Sequence, residues 1–128
     1  PDVEIHMARI LIIDDDDIQR RIVREILEAG AHDVTEAEDG NQGLRLQNEQ
    51  VFDLIITDIL MPGMEGLETV RELARVYPGV RIIAMSGHRE GYLRAASSFG
   101  AMATLEKPFA PGDLSDCVKL CLSREPGS

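Results

Sequence analysis

The chain contains the stretch Ile10-Leu11-Ile12-Ile13-Asp14-Asp15-Asp16-Asp17, in which four apolar residues run directly into four aspartates. An apolar run without polar alternation is typical of a strand that is buried on both faces, as in a parallel sheet. We therefore predict a first strand over Arg9–Ile13 that ends at a charged edge. Such a strand needs helices on both faces, so strands and helices should alternate along the rest of the chain.

The rest of the sequence shows this alternation. Further strands are predicted at Asp33–Ala37, Phe52–Thr57, Val80–Met85 and Ala103–Glu106. Five strands that alternate with five helices across short loops imply a parallel sheet with right-handed crossovers. The predicted fold class is α/β, a doubly wound (βα)5 sheet of the flavodoxin-like type with strand order 2-1-3-4-5.

The helix signals lie between these strands. Asp17 is expected to cap the first helix, which carries apolar residues at helical spacing and ends at Gly30. Those apolar residues are Ile18, Ile22, Ile26 and Leu27. Further helices are predicted after Asp39-Gly40, at Leu67–Tyr77 and at Glu90–Ser98. Pro111 starts the last helix, whose inner stripe is predicted to be Leu114, Val118 and Leu122.

Length and composition limit the possible classes of protein. The 128 residues fit one domain, which we place at 7–122. Residues 1–6 are expected to be a cloning remnant or a disordered N-terminus, and 123–128 a tail or a truncated linker. The net charge of −10 opposes direct binding to a nucleic-acid backbone, which requires a basic face.

Neither a membrane span nor a secretory signal is visible in the sequence. No apolar run approaches the roughly 20 residues that cross a bilayer, and the first six residues are mixed and polar. Cys117 and Cys121 lie four residues apart in a helical pattern and are interpreted as reduced thiols on a partly buried helix face. These features favour a cytoplasmic protein.

Polar residues with useful chemistry follow four of the predicted strands. The first strand ends in Asp14 and Asp15, the third in Asp58, the fourth in Ser86 and the fifth in Lys107. In an open α/β sheet the site lies beyond the carboxyl ends of the strands, where the strand order reverses. These five side chains are therefore expected to meet there.

Three neighbouring carboxylates repel one another unless a cation lies between them. A hard divalent cation with oxygen ligands fits this position, and Mg²⁺ is the usual one. A lysine and a hydroxyl beside such an ion can stabilise a phosphoryl group in transfer. Asp58 is the predicted acceptor because it leaves Asp14 and Asp15 to hold the metal.

Four segments together resemble the receiver domains of two-component response regulators, which have the CheY-like form of this fold. They are Ile12-Ile13-Asp14-Asp15, Asp58-Ile59-Leu60-Met61-Pro62-Gly63-Met64-Glu65-Gly66, Ala84-Met85-Ser86-Gly87 and Lys107-Pro108-Phe109. The resemblance runs from about Met7 to Leu122. It is specific in combination, whereas each piece alone is a weak signal.

The resemblance implies a role for each matching residue. Asp58 would be the phosphoacceptor, and Asp15 a direct Mg²⁺ ligand with Asp14 acting mainly through water. The backbone carbonyl of Leu60 would complete the protein ligands, Ser86 and Lys107 would bind phosphoryl oxygens, and the Lys107-Pro108 peptide would be cis.

The partners implied by the resemblance are a sensor histidine kinase or histidine phosphotransfer domain as donor and an output domain or protein of unknown identity. The resemblance also allows a dimer that forms on phosphorylation. Such a domain is not an enzyme in the ordinary sense, although it would assist its own phosphorylation and dephosphorylation.

Two other functions compete with this interpretation. Asp14-Asp15-Asp16 also gives the Asp-x-Asp pattern of Mg²⁺-dependent phosphohydrolases of the haloacid dehalogenase type. That family normally has a longer chain, and it does not explain Met61-Pro62 or Lys107-Pro108. The second competitor is a receiver that binds a partner without being phosphorylated, but no acceptor, metal or lysine position is missing here.

Several single residues remain open at this point. Ile18 is either a core residue or an exposed anchor for the phosphodonor. Leu60 and His88 are hypothesised to border the path of water to the acyl phosphate, while His32 is interpreted as structural. Thr104 occupies the position at which many receivers carry Tyr or Phe, so we expect the signal to pass through 86–91 and the face of the fourth and fifth helices.

Overall fold

The computed structural model describes residues 7–60, 66–87 and 90–124, with only the backbone of Glu90. Strands and helices alternate strictly over this part of the chain, as predicted. The elements are β1 Arg9–Ile13, α1 Asp17–Ala29, β2 Asp33–Ala37, α2 Gly40–Glu49, β3 Leu54–Asp58, α3 Gly66–Val76, β4 Ile82–Gly87, α4 Glu90–Phe99, β5 Ala103–Lys107 and α5 Pro111–Ser123.

The sheet is parallel and has the order β2-β1-β3-β4-β5, which confirms the predicted topology. Ile12 lies opposite Glu36 of β2 on one side and Ile56 of β3 on the other. Because β1 and β3 are neighbours, the residues that follow Ile13 and those that end β3 meet at the same edge. This is the point at which the strand order reverses.

Side chains that alternate along each strand divide the core into two layers. One layer faces α1 and α5 and contains Ile10, Ile12, Leu54, Ile56, Ile83 and Met85. The other faces α2, α3 and α4 and contains Leu11, Ile13, Ile55, Ile82 and Ala84. All five residues of β3 are buried, because this strand is central and covered on both faces.

Helix α1 differs from the prediction in its cap and in its buried face. Asp16, not Asp17, is the N-cap, since its carboxylate accepts hydrogen bonds from the backbone N–H groups of Ile18 and Gln19. The buried residues are Arg20, Val23 and Leu27. Ile18 is 73% exposed and is therefore not a core residue.

Helix α5 begins at Pro111 as predicted, and its buried residues are Leu114, Val118 and Cys121. Leu122 is only partly buried, so Cys121 replaces it in the predicted stripe because it lies closer to the inner face. Both cysteines are free thiols. In the described ranges, every helix is too short or too polar to cross a bilayer.

Candidate functional site

The three aspartates predicted to converge do lie together at the carboxyl edge of the sheet. One carboxylate oxygen from each of Asp14, Asp15 and Asp58 lies within 4.8 Å of the other two. Asp14 follows β1 and is fully buried, Asp58 is the last residue of β3 and is 7% exposed, and Asp15 is exposed. The cluster therefore has one side open to solvent.

Asp14 is held by its backbone and by half of its carboxylate. Its N–H donates to the carbonyl oxygen of Ala37, and its Oδ1 accepts a hydrogen bond from the Asp16 N–H at 2.9 Å. Its Oδ2 is buried and has no hydrogen-bond partner within the described part of the chain. A buried anionic oxygen without a partner costs free energy.

The pKa of Asp14 reflects this environment. Burial raises it from 3.8 to about 6, against the opposing hydrogen bond from the Asp16 N–H. The negative charges of Asp58 and Asp15 raise the pKa further, and the positive charge of Lys107 lowers it. A divalent cation at the cluster would satisfy the unpaired oxygen and remove the repulsion, and carboxylate oxygens are the ligands that Mg²⁺ prefers. The donor set therefore fits Mg²⁺.

The Asp58 carboxylate is oriented by two hydrogen bonds, one to each of its oxygens. Its Oδ2 accepts from the Lys107 ammonium at 2.8 Å, and its Oδ1 accepts from the Leu60 N–H at 2.9 Å. Lys107 ends β5 and reaches across the end of β4, which lies between β5 and β3. The side chains of this ion pair are 10% and 22% exposed, so water screens it little.

Gly66 allows α3 to approach the backbone beside the acceptor. A β-carbon at this position would lie 2.1 Å from the Ile59 α-carbon and 2.4 Å from the Asp58 carbonyl oxygen. Any other residue would push α3 away from the end of β3. The glycine therefore permits the close contact between the start of α3 and the end of β3.

The structure places the other predicted residues as follows. Ser86 is fully buried at the end of β4, and its hydroxyl donates to the Gly87 carbonyl oxygen at 3.2 Å. The Leu60 side chain is 46% exposed, while ligation by its carbonyl stays a prediction. Lys107-Pro108 is cis, as expected. His88 and the segment 61–65 lie outside the described residues.

Sequence reasoning missed Arg20. This residue is 8% exposed and donates a hydrogen bond to the Asp14 carbonyl oxygen at 2.7 Å. It shares the inner face of α1 with Val23 and Leu27. The helical spacing of positions 20, 23 and 27 was a weak signal, because a basic residue on such a stripe requires buried acceptors that the spacing does not show.

The model of the response regulator receiver domain family matches residues 10–119. The chain belongs to this family. The receiver domain is 39% identical over 105 residues to a response regulator receiver protein of Anaeromyxobacter sp. (strain Fw109-5), covering 81% of this chain and 44% of that protein. It is 34% identical over 117 residues to the response regulator receiver protein CpdR of Brucella abortus, covering 91% of this chain and 98% of CpdR.

A solved structure agrees with these relatives. A response regulator receiver domain protein from Clostridium thermocellum superposes with a TM-score of 0.87 at 30% identity, covering 92% of this chain and 96% of that one. Family membership makes the chain a signalling domain of two-component systems. It does not support the phosphohydrolase alternative, and Asp16, the second aspartate of the Asp-x-Asp pattern, is the N-cap of α1.

Proposed function

We propose that the receiver domain accepts a phosphoryl group on Asp58 from a phosphohistidine of a histidine kinase or phosphotransfer domain in the cytoplasm. The carboxylates of Asp14, Asp15 and Asp58 and the Leu60 carbonyl would hold Mg²⁺. One observation carries the proposal: the Asp58 carboxylate is paired with Lys107 and also lies within the group of three carboxylates. This arrangement supports the proposal, because the proposed acceptor, a cation and the candidate ligands of Mg²⁺ are neighbours.

In the proposed reaction an Asp58 oxygen attacks phosphorus as the bond from phosphorus to the histidine nitrogen breaks. The electron pair of that bond stays on the imidazole, and Asp58 becomes an acyl phosphate. Bound Mg²⁺ would supply positive charge to the phosphoryl oxygens. Lys107 moves its ammonium from the Asp58 carboxylate to a phosphoryl oxygen, and Ser86 turns its hydroxyl from the Gly87 carbonyl to another.

The test is phosphorylation by acetyl phosphate in the presence of Mg²⁺, followed by intact mass analysis. We expect wild type to gain one phosphoryl group and Asp58→Asn to gain none. Asp53→Asn is the matched control, because Asp53 immediately precedes the same strand at its other end. An adduct on Asp58→Asn would contradict the proposed acceptor, and no adduct on wild type would favour the receiver that binds without phosphorylation.

The exposed face of α1 is suited to contact with the donor. Ile18 and Ile22 are 73% and 47% exposed, and Ile18 lies one turn from the site on the helix that Asp16 caps. Large apolar side chains exposed side by side typify a protein-binding surface. This placement supports the role of Ile18 as an anchor for the phosphodonor.

Ile18→Glu should slow phosphotransfer from the cognate donor while leaving the rate with acetyl phosphate unchanged, because the small donor needs no docking surface. Val51→Glu is the control, since Val51 is 69% exposed at the opposite edge of the sheet. Equal phosphotransfer rates for Ile18→Glu and Val51→Glu would rule out this anchor.

Thr104 bears on how phosphorylation is transmitted. It is half-buried on β5, opposite Ala84 of β4, and has no ring that could change rotamer beside Ser86. We infer that the signal passes through 86–91 and the face of α4 and α5. Amide shifts of the phosphorylated protein should move in those elements, and unchanged shifts there would refute the inference.

A further inference from the structure

The Arg20 guanidinium is almost completely buried and joins three parts of the fold. Its Nη1 donates to the Asp14 carbonyl oxygen at 2.7 Å. Its Nε donates to Glu36 Oε1 of β2 at 2.6 Å, and its Nη2 donates to Asp17 Oδ1 at the start of α1 at 2.7 Å. A planar guanidinium can reach three acceptors in fixed directions, which a lysine ammonium on a flexible stem cannot.

A buried charge of this kind is retained only if its partners compensate for the lost water. Burial lowers the pKa of Arg20, but hydrogen bonds to Glu36 and Asp17 outweigh it and raise that pKa above its ordinary value. The guanidinium is therefore charged, and its bonds to Glu36 and Asp17 fix its position independently of its contact with Asp14.

The contacted carbonyl belongs to the peptide that joins Asp14 to Asp15. The preceding peptide is fixed as well, because the Asp14 N–H donates to the Ala37 carbonyl oxygen at 3.1 Å. With the peptides on both sides of Asp14 held, the direction in which its carboxylate leaves the main chain is set, and so is the orientation of the peptide that precedes Asp15. Metal ligands need this kind of support, because a small error in ligand direction weakens coordination.

Arg20 contacts Asp14 through its backbone carbonyl oxygen, while its side-chain partners are Glu36 and Asp17. The contact with Asp14 therefore depends on the direction of one N–H group of the guanidinium. Replacement by lysine keeps the positive charge but loses the fixed directions of these three hydrogen bonds, so it should still damage the site.

We propose that Arg20 is a positioning residue of the metal site, whose buried guanidinium fixes the peptide between Asp14 and Asp15 and so sets both carboxylates for a divalent cation. The inference rests on the proposed function, because it presupposes that these carboxylates bind Mg²⁺. The hydrogen bonds that hold Arg20 in this role connect the end of β1, β2 and the start of α1.

The experiment compares Arg20→Lys with Arg24→Lys in the full chain. Arg24 lies on the same helix as Arg20 and also pairs with Glu36. Its hydrogen bonds go to Glu36 and Glu28, and not to the backbone of Asp14. The Mg²⁺ dissociation constant, measured by calorimetry, should rise about tenfold in Arg20→Lys. It should change by less than about twofold in Arg24→Lys, whose ion pairs are partly exposed.

A second measurement on metal-free protein isolates the backbone contact. The carbonyl ¹³C resonance of Asp14 reports its hydrogen bond and should move upfield in Arg20→Lys but stay in place in Arg24→Lys. A general loss of stability would not produce this single-site difference. The resonance needs no metal, so it tests the contact independently of phosphorylation.

The outcomes separate this inference from the proposed function. Equal dissociation constants for the two variants, or an unmoved Asp14 resonance in Arg20→Lys, would overturn the role of Arg20 alone. Absence of Mg²⁺ binding by wild type would overturn both. If Arg20→Lys does not fold, Glu36→Gln replaces it: a raised dissociation constant and a shifted Asp14 resonance support the inference, and unchanged values overturn it.

Discussion

The polar groups at the amino ends of the strands (the amino edge of the sheet) differ from those at the carboxyl ends (the carboxyl edge) in how they are paired. At the amino ends of the strands two backbone N–H groups have side-chain partners: the Arg9 N–H donates to Asp53 Oδ2 at 2.8 Å, and the Ala8 N–H donates to the ring Nδ1 of His32 at 3.1 Å. At the carboxyl edge three carboxylates lie together and one buried oxygen of Asp14 has no partner among the described residues.

The difference separates stability from function within one sheet. The polar groups at the amino edge are hydrogen-bonded, so placing them at the ends of the strands costs little free energy of folding. The carboxyl edge keeps an electrostatic conflict that a cation can relieve, and sites at which local rules are broken are expected to be functional. The following predictions test this contrast, from the largest expected effect to the smallest.

Lys107→Met should lower the rate of phosphorylation by acetyl phosphate about a hundredfold, because it removes the cation that pairs with Asp58 and would stabilise the phosphoryl oxygens. Arg9→Met makes a similar change at the amino edge, where Arg9 stacks over the Phe52 ring and bonds Gln50. Its rate should equal that of wild type. A Lys107→Met protein that is phosphorylated at the wild-type rate would contradict the contrast.

Asp14 should make the metal-free protein less stable as the pH rises. Its pKa is higher in the folded protein, about 6, than the ordinary 3.8, so the folded state binds the proton more tightly. This contribution to stability is complete below pH 3.8 and is lost as the pH rises through about 6. The difference corresponds to about 3 kcal/mol at most.

Urea unfolding of metal-free protein at several pH values measures this effect. Asp14→Asn should remove the fall in the free energy of unfolding, and Mg²⁺ should reduce it in wild type by binding the carboxylate form. Asp53→Asn, at the amino edge, should retain the wild-type fall. A fall of equal size in Asp14→Asn would show that another group is responsible.

His32 should have a smaller effect of opposite sign. Burial lowers its pKa below 6.5, and its Nδ1 must be unprotonated to accept the Ala8 N–H. As the pH falls below 6.5 the unfolded chain takes up a proton that the folded chain resists, so stability is lost towards the folded pKa.

His32→Asn keeps an acceptor oxygen in nearly the same position but does not titrate. The stability of wild type relative to His32→Asn should therefore decrease between neutral and mildly acidic pH, as measured by urea unfolding with Mg²⁺ present. A constant difference between the two proteins would refute this linkage.

Much of the site could be predicted because its residues directly follow or end apolar strands. Asp14, Asp58 and Lys107 could be placed at one edge of the sheet, since parallel strands end at a common edge. The strand bounds were less accurate: β4 begins at Ile82, where Val80 was predicted. Strand ends depend on pairing with neighbours, which a single segment does not show.

The burial of Arg20 and the exposure of Ile18 could not be predicted from the sequence. Both lie in one amphipathic helix, and hydrophobicity alone predicts that Ile18 is inside and Arg20 outside. The structure reverses this because Arg20 finds acceptors on Asp14, Glu36 and Asp17, whereas Ile18 lies beyond the edge of the sheet at the first turn of α1. Burial of a charge depends on where its partners lie in the fold, and one of them, Glu36 of β2, is distant from Arg20 in sequence.

The sequence by itself determined the alternation of strands and helices, the strand-end aspartates and lysine, and the membership in the receiver family. These follow from local patterns of apolar residues and from motifs that are contiguous in the chain. Only the tertiary structure decided that Asp14 keeps an unpartnered buried oxygen, that Lys107 pairs with Asp58 and that Arg20 holds the peptide between the first two aspartates. Each depends on distances between separate elements, and packing sets those distances.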